Sequence, residues 1–491
     1  TVIIARLAHL IIASSGLIIM LVMQAFLRVS LIIGLLLALA LGPITIAGYN
    51  DLALAASLSS PHEQSVYYES AAQRLPWAAY LYETSASAAM RAGDYERAIA
   101  LFQVAQRKSA LSPNGQFELG WAYFLLGERS QALDEWQAIP SGNPATASAG
   151  PYLADGYHAQ ARFDDEERTL RQWLALDPQN ADAQYRLGLL LFADASPEAL
   201  PLLEFVASAS PELKPAADGL RVALKTALEA GAPAAALTYC GQTLAAIGEW
   251  PLALRTFSRA TQADPSHAPA WAWLGEARQH VPEGGDPLEA LQRAVSLAPG
   301  SAQVQVVFGL YWQRQADWEK ARQAFETAAQ LEPQNPAWQI SLGQIYVQLG
   351  NLVTALDYYQ DAVELAPNDS RTWRALALFS VENDVDLETI ARDAALRAYA
   401  LEPENAQNMD ALGRALLATQ QYDAAETFFK KAIEAAPGLP SSAAPAYHLA
   451  LLYMETNRRD LAEEYLRSAR ALDPDGPLGA QAARVLERYF P

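Results

Sequence analysis

The side chains able to do chemistry are few and scattered along the chain. Six histidines, at 9, 62, 158, 267, 280 and 448, keep no metal-ligand spacing. The single cysteine, Cys240, excludes a disulfide framework and a cysteine-based zinc site. Asp473-Pro474-Asp475-Gly476 opens like a calcium loop, but its glycine comes too early and no glutamate closes it, so it reads as a turn. Gly284-Gly285 likewise reads as a turn rather than an anion cradle. No phosphate-binding glycine loop, H-E-x-x-H, G-x-S-x-G or dinucleotide fingerprint occurs. Asp155 and His158 are three apart on one helix face and read as a hydrogen-bonded structural pair rather than an acid–base pair. No catalytic residue, metal site or cofactor is expected in this chain.

Binding chemistry is the alternative, and charge narrows the partner. Lys+Arg 35 against Asp+Glu 55 gives a net charge of −20, which argues against nucleic acid and against a basic membrane-surface patch. A hydrophobic content of 51% is too high for a disordered chain. A length of 491 residues predicts either several domains or a repeat array.

The elements that position any binding surface begin with an apolar N-terminus. Residues 1–48 hold two basic side chains, Arg6 and Arg28, and no acidic one. The apolar runs at 7–27 and 29–47 each approach the ~20 residues that a helix needs to cross ~30 Å of hydrocarbon. One uninterrupted helix over 1–47 would measure roughly 70 Å, too long for one crossing. Either two spans meet at a tight turn near Arg28, or one span is preceded by another element. A third reading takes Met23–Leu37 with Ala38-Leu39-Ala40 as a signal peptide cleaved after Ala40. Arg28 precedes the second run, and residues 49–73 lack Lys and Arg, so the rest of the chain is expected outside the cytoplasm. The chain starts at Thr1 inside an apolar run, which predicts further sequence upstream.

Beyond residue 78 the chain repeats. Prolines 265, 299, 333 and 367 recur at an interval of 34, as do Gly241, Gly275, Gly309 and Gly343. With Ala302 as position 1, Phe308-Gly309, Trp312, Ala321, Phe325, Ala328 and Pro333 fall at positions 7, 8, 11, 20, 24, 27 and 32. The unit from Pro336 repeats them as Leu342-Gly343, Tyr346, Ala355, Tyr359, Ala362 and Pro367. This spacing predicts two amphipathic helices per unit, with small residues at 8, 20 and 27 for close approach and aromatics at 11 and 24 filling the gaps. Cys240 occupies position 7, a packing position, which predicts a buried, inert thiol.

The pattern closely resembles the tetratricopeptide repeat. That resemblance implies an all-α, right-handed superhelical solenoid of about eleven helix pairs behind the N-terminal membrane segment. Units are expected to start near 79, 113, 147, 181, 234, 268, 302, 336, 370, 406 and 443. The organisation is then a membrane segment of one or two helices at 1–48, a helical connector at 49–78, units one to four at 79–213 and an extra helical element at 214–233. Units five to eleven follow at 234–476, with a capping helix at 477–491.

The resemblance also implies a ligand surface. Positions 2, 5, 9, 12 and 13 of each first helix tend to face a concave groove that grips a protein or peptide segment. In the early units these are Phe117, Trp121, Phe124, Asp155, His158, Tyr185 and Phe192, an aromatic set. In later units they are Arg314, Gln344, Gln348, Arg371, Arg374, Asp410 and Arg414, a polar set with arginines. The lysine–asparagine clamp with which co-chaperone members hold a C-terminal carboxylate is not matched. Three functions are open: a membrane-tethered bacterial scaffold outside the cytoplasm, binding proteins; the C-terminal part of a polytopic enzyme similar in arrangement to O-antigen ligases; and a secreted or periplasmic scaffold released by cleavage.

Overall fold

The computed structural model describes the backbone of residues 2–490 except 141, and side chains of residues 23–490 except 24, 25, 37, 38 and 141. The side chains of residues 1–22, Arg6 and His9 included, lie outside the described residues. Every regular element described is helical. The first helix, α1 (Val2–Ser57), continues through Arg28, so the tight turn considered there is absent. Its stretch Phe26–Ser57 is long and apolar enough to cross a membrane. The second helix, α2 (Pro61–Arg74), packs back along α1: Ser70 and Arg74 both donate to the Asp51 carboxylate, and Leu75 lies against Gly48.

The chain forms two compact units, Thr1–Thr226 and Ala227–Pro491. After α2 the first unit contains four helix pairs, α3 (Tyr80–Ala92) with α4 (Tyr95–Lys108), α5 (Pro113–Leu125) with α6 (Arg129–Gln137), α7 (Pro144–Ala159) with α8 (Phe163–Leu176), and α9 (Ala181–Ala193) with α10 (Ala199–Ala209). Helix α11 (Lys214–Glu229) falls at the division between the units. In the second unit the pairs are α12 (Pro233–Ala246) with α13 (Trp250–Ala263), α14 (Ala268–His280) with α15 (Pro287–Leu297), and α16 (Ala302–Arg314) with α17 (Trp318–Leu331). They continue as α18 (Pro336–Gln348) with α19 (Leu352–Leu365), α20 (Ser370–Glu382) with α21 (Arg392–Leu401), α22 (Ala406–Ala418) with α23 (Tyr422–Ala435), and α24 (Ala443–Glu455) with α25 (Arg459–Leu472). The last helix is α26 (Pro477–Tyr489).

Local chemistry explains the boundaries. Ser112, Asn143 and Asn335 accept from the first helical amides while the prolines that follow them occupy the first turn, where a missing N–H costs nothing. Six residues past the repeat-ending proline, a side chain returns to its carbonyl: Gln184 to Pro178, Trp271 to Pro265, Gln305 to Pro299 and Trp373 to Pro367, at 2.7–3.0 Å. This tie stiffens the junction between one unit and the next. The extra residues after α20 are absorbed by one turn of π-helix, Leu387–Ala391, entered through left-handed Asp384 and Asp386 (φ 56° and 43°).

Packing within a pair follows the small-on-aromatic rule. A Cβ at Gly241, Gly309, Gly343 or Gly413 would stand 2.5–2.8 Å from the ring of Phe257, Phe325, Tyr359 or Phe429, each sixteen residues later. Those rings are 0–5% exposed, so the glycines are required for close approach rather than for backbone freedom. The same contact sets Trp136 against Gly120 in the first unit.

Candidate functional site

Helix α5 places Phe117, Trp121 and Phe124 along one face, four and three residues apart. Gly120 admits the Trp136 indole from α6, and its Nε1–H donates to the Phe117 carbonyl at 3.0 Å. Tyr152 of α7 closes the group, with ring centroids 4.8 Å from Trp121, 5.6 Å from Phe124 and 5.4 Å from Trp136. Trp121 and Phe124 stack at 5.2 Å, 13° from parallel. Trp136 is buried, whereas Phe117, Trp121, Phe124 and Tyr152 are half-buried, so together they form a rigid shelf with a solvent-facing surface.

The shelf borders a pocket of about 330 Å³ between α5–α6 and α7. Phe124, Leu133, Trp136, Tyr152 and Ala159 supply apolar wall, and Arg129, Asp155 and Gln160 supply polar groups. Gly156 keeps α7 close to α6, since a Cβ there would meet Leu133 at 2.3 Å. One flank is fixed by ion pairs. Arg186 of α9 reaches Asp155 at 2.5 Å and the buried Glu166 at 3.1 Å, and Glu166 takes His158 Nδ1 at 2.9 Å. Asp155 and His158 therefore find separate partners, and the direct pair expected from their spacing is not formed.

Phe192 requires correction as a groove residue. It is completely buried, because Leu187–Ala193 are buried consecutively and α9 has no open face over that stretch. Tyr185, on the same helix, is half-buried and does not line the pocket. Groove position alone does not single out Tyr152, Trp136, Arg129 or Gln160. For Trp136 the signal was present, since it occupies the gap-filling position 24 of its unit.

The later residues form a second, more open cleft. Arg314, Gln344 and Gln348 come together with Leu310, Gln313 and Trp318 around about 390 Å³. Arg314 also donates to both oxygens of the buried Glu276, at 2.6 and 2.7 Å, and to Gln279 at 3.1 Å. Arg414 pairs with Glu382 at 2.9 Å, Arg374 bonds Asn408 at 2.8 Å, and buried Asp410 holds His448 Nδ1 at 2.8 Å. Partners 32–38 residues apart join neighbouring first helices, so these polar residues link unit to unit. Arg371 differs, being exposed and clasped by Asp369 two residues away.

Other chemistry is quiet. Burial pushes the Cys240 thiol up to about 12, leaving no thiolate at neutral pH. Among the described residues, no group of three or more His, Cys, Asp and Glu is placed to hold a metal ion.

These features define a class, the all-α helical-repeat proteins. A tetratricopeptide repeat model matches residues 84–144, 241–302, 308–370 and 389–440, and a second matches 416–486. Together they account for more than half of the chain, which belongs to the tetratricopeptide repeat family. No curated protein matches it. Similar solved structures include yeast Tom70, 15% identical over 92% of this chain and 96% of that one with a TM-score of 0.42. The Cut9–Hcn1 hetero-tetramer of the APC/C is 17% identical over 91% and 96%, with a TM-score of 0.38. YrrB, described as a tetratricopeptide repeat protein with an unusual peptide-binding site, is 20% identical over 40% and 98%, with a TM-score of 0.28.

Proposed function

We propose that this protein is a membrane-tethered scaffold that captures a segment of a partner protein at the α5–α7 pocket, on the extracytoplasmic side of a bacterial membrane. The observation that carries the reading is the open aromatic shelf bordering a pocket of about 330 Å³. That volume lies at the lower end of the ~300–1,000 Å³ of ligand pockets, and it suits an apolar or aromatic anchor side chain better than a whole cofactor. Rigid aromatic walls give up little entropy on binding, and such anchors carry most of the energy at protein interfaces. Arg129, Asp155 and Gln160 at the rim then fix the anchor's flanking backbone. In this reading the tether is α1, and the side is supported by Arg28 before the apolar stretch and the lack of Lys and Arg over 49–73.

The test uses peptides selected from a random library on the purified full chain in detergent. Ala159 is exposed and lines the pocket, so Ala159→Phe fills the cavity without entering the core. Selected peptides are expected to bind this variant at least tenfold more weakly than wild type. Equal affinity would remove the pocket from the account. Alkaline extraction of membranes tests the tether: release into the soluble fraction without detergent would favour the cleaved, periplasmic form.

A further inference from the structure

We infer that the turn between α2 and α3 is a lipid-contacting foot: Trp77 and Tyr80, with Tyr49 of α1, sit in the headgroup layer of the membrane that α1 enters. The inference rests on the tether reading and adds a surface to it. Three observations meet at one level of the molecule. First, the apolar run 29–47 spans about 29 Å as a helix, close to the ~30 Å hydrocarbon core, and the polar Tyr49, Asn50 and Asp51 follow it, so with 29–47 as the membrane span the boundary falls at residues 47–48. Arg28 then lies at the opposite boundary, where its guanidinium reaches water. Second, α2 runs back to that boundary: Arg74 ties to Asp51, and Leu75 packs on Gly48 so closely that a Cβ there would stand 2.7 Å from it. Trp77 is two residues beyond Leu75, hence within ~7 Å of it along the chain. Third, the aromatic side chains on this turn and on the adjoining end of α1 are uncovered, with Trp77 63%, Tyr80 62% and Tyr49 56% exposed.

Single exposed aromatics need no explanation. Three of them beside the end of an apolar helix match the belt that tryptophan and tyrosine form at bilayer interfaces, where an apolar ring and a polar tip are both satisfied. The immediate ionic groups, Arg74 with Asp51 and Arg97 with Glu69, are internally paired, which leaves the foot without a net electrostatic claim on a charged protein partner. Lipid is the occupant that the apolar helix itself brings to this height. The foot fixes how close the first helix pair stands to the bilayer, and hence how near the membrane a captured segment is held.

Trp77 is its own probe, because none of the other ten tryptophans lies before residue 121. The full chain is reconstituted into phosphatidylethanolamine–phosphatidylglycerol vesicles whose acyl chains carry bromine near the headgroups, and tryptophan quenching is compared with Trp77→Phe. Vesicle flotation after alkaline washing is measured on the same samples. The expected result is a bromine-quenched component in wild type that Trp77→Phe lacks, both proteins floating equally. Flotation without a quenched component, or with a component that Trp77→Phe retains, overturns the foot while leaving the tether standing. Loss of flotation in wild type overturns the tether and the foot with it.

Discussion

Replacing Arg314 by methionine separates a structural role from a ligand-binding one. Glu276 is 5% exposed and carries a carboxylate whose two oxygens both accept from Arg314. Removing one partner of a buried pair costs about 3–5 kcal/mol when the remaining charge is stranded. Here the arginine side chain is 43% exposed, and Gln279 at 3.1 Å and His280 at 3.3 Å still serve the carboxylate. The cost is therefore reduced to about 1.5–3 kcal/mol, the range of a hydrogen bond to a charged group. Because repeat arrays open locally rather than all at once, the assay is amide hydrogen exchange on the full chain. Protection in α14 and α16 is expected to fall by about 10- to 100-fold, each tenfold corresponding to ~1.4 kcal/mol. Glu276→Gln combined with Arg314→Met should recover most of the loss, since no stranded charge remains. Arg371→Met, which cuts only an exposed clasp to Asp369, should stay within about 0.5 kcal/mol of wild type. Unchanged protection in Arg314→Met, or equal loss in Arg371→Met, would show that Arg314 does not hold the buried Glu276 carboxylate.

Three further outcomes follow from the packing and the ionisations. Gly309→Val places a branched side chain where a Cβ alone meets the Phe325 ring at 2.7 Å, and should destabilise α16–α17 by about 1–3 kcal/mol, read as lost exchange protection there. Burial pushes the Glu426 carboxyl up, but bonds from Lys430, Tyr453 and Arg458 outweigh it and hold the group at about 2 against an ordinary 4.5. Its folded value is depressed, so its contribution is present above 4.5 and lost as pH falls toward 2; Glu426→Gln should flatten acid-induced loss of helicity over that window. Cys240, fully buried, should resist an aromatic disulfide reagent in the native chain at pH 8 and react at once in guanidinium.

What was legible in the sequence was whatever the 34-residue spacing carries. Gly309 and Phe325, or Gly343 and Tyr359, announce their contact because a missing Cβ and a large ring must face each other across every pair. The aromatic shelf was half legible: Phe117, Trp121 and Phe124 share one helix face, which periodicity reports, but Tyr152 joins them from the next unit, which it does not. Phe192 misled because a position rule assumes an open helix face, and burial on every side of Leu187–Ala193 is a tertiary fact. The arginines of the later units looked available for a ligand, since a partner such as Glu276, thirty-eight residues away, leaves no mark in local spacing. At Arg28 helix length leaves open a turn between two spans or one span preceded by another element, and the backbone continues through it as helix.

A partner segment held in the α5–α7 pocket lies within reach of a photo-crosslinker placed at the pocket rim. A photoreactive phenylalanine analogue is placed at Gln160, on the pocket rim, and in a second protein at Arg107, an exposed residue of α4 that does not line the pocket. A selected peptide is expected to crosslink through Gln160 and to be displaced by unlabelled peptide, with no adduct at Arg107. Equal crosslinking at both positions, or adducts at Arg107 alone, would contradict that placement.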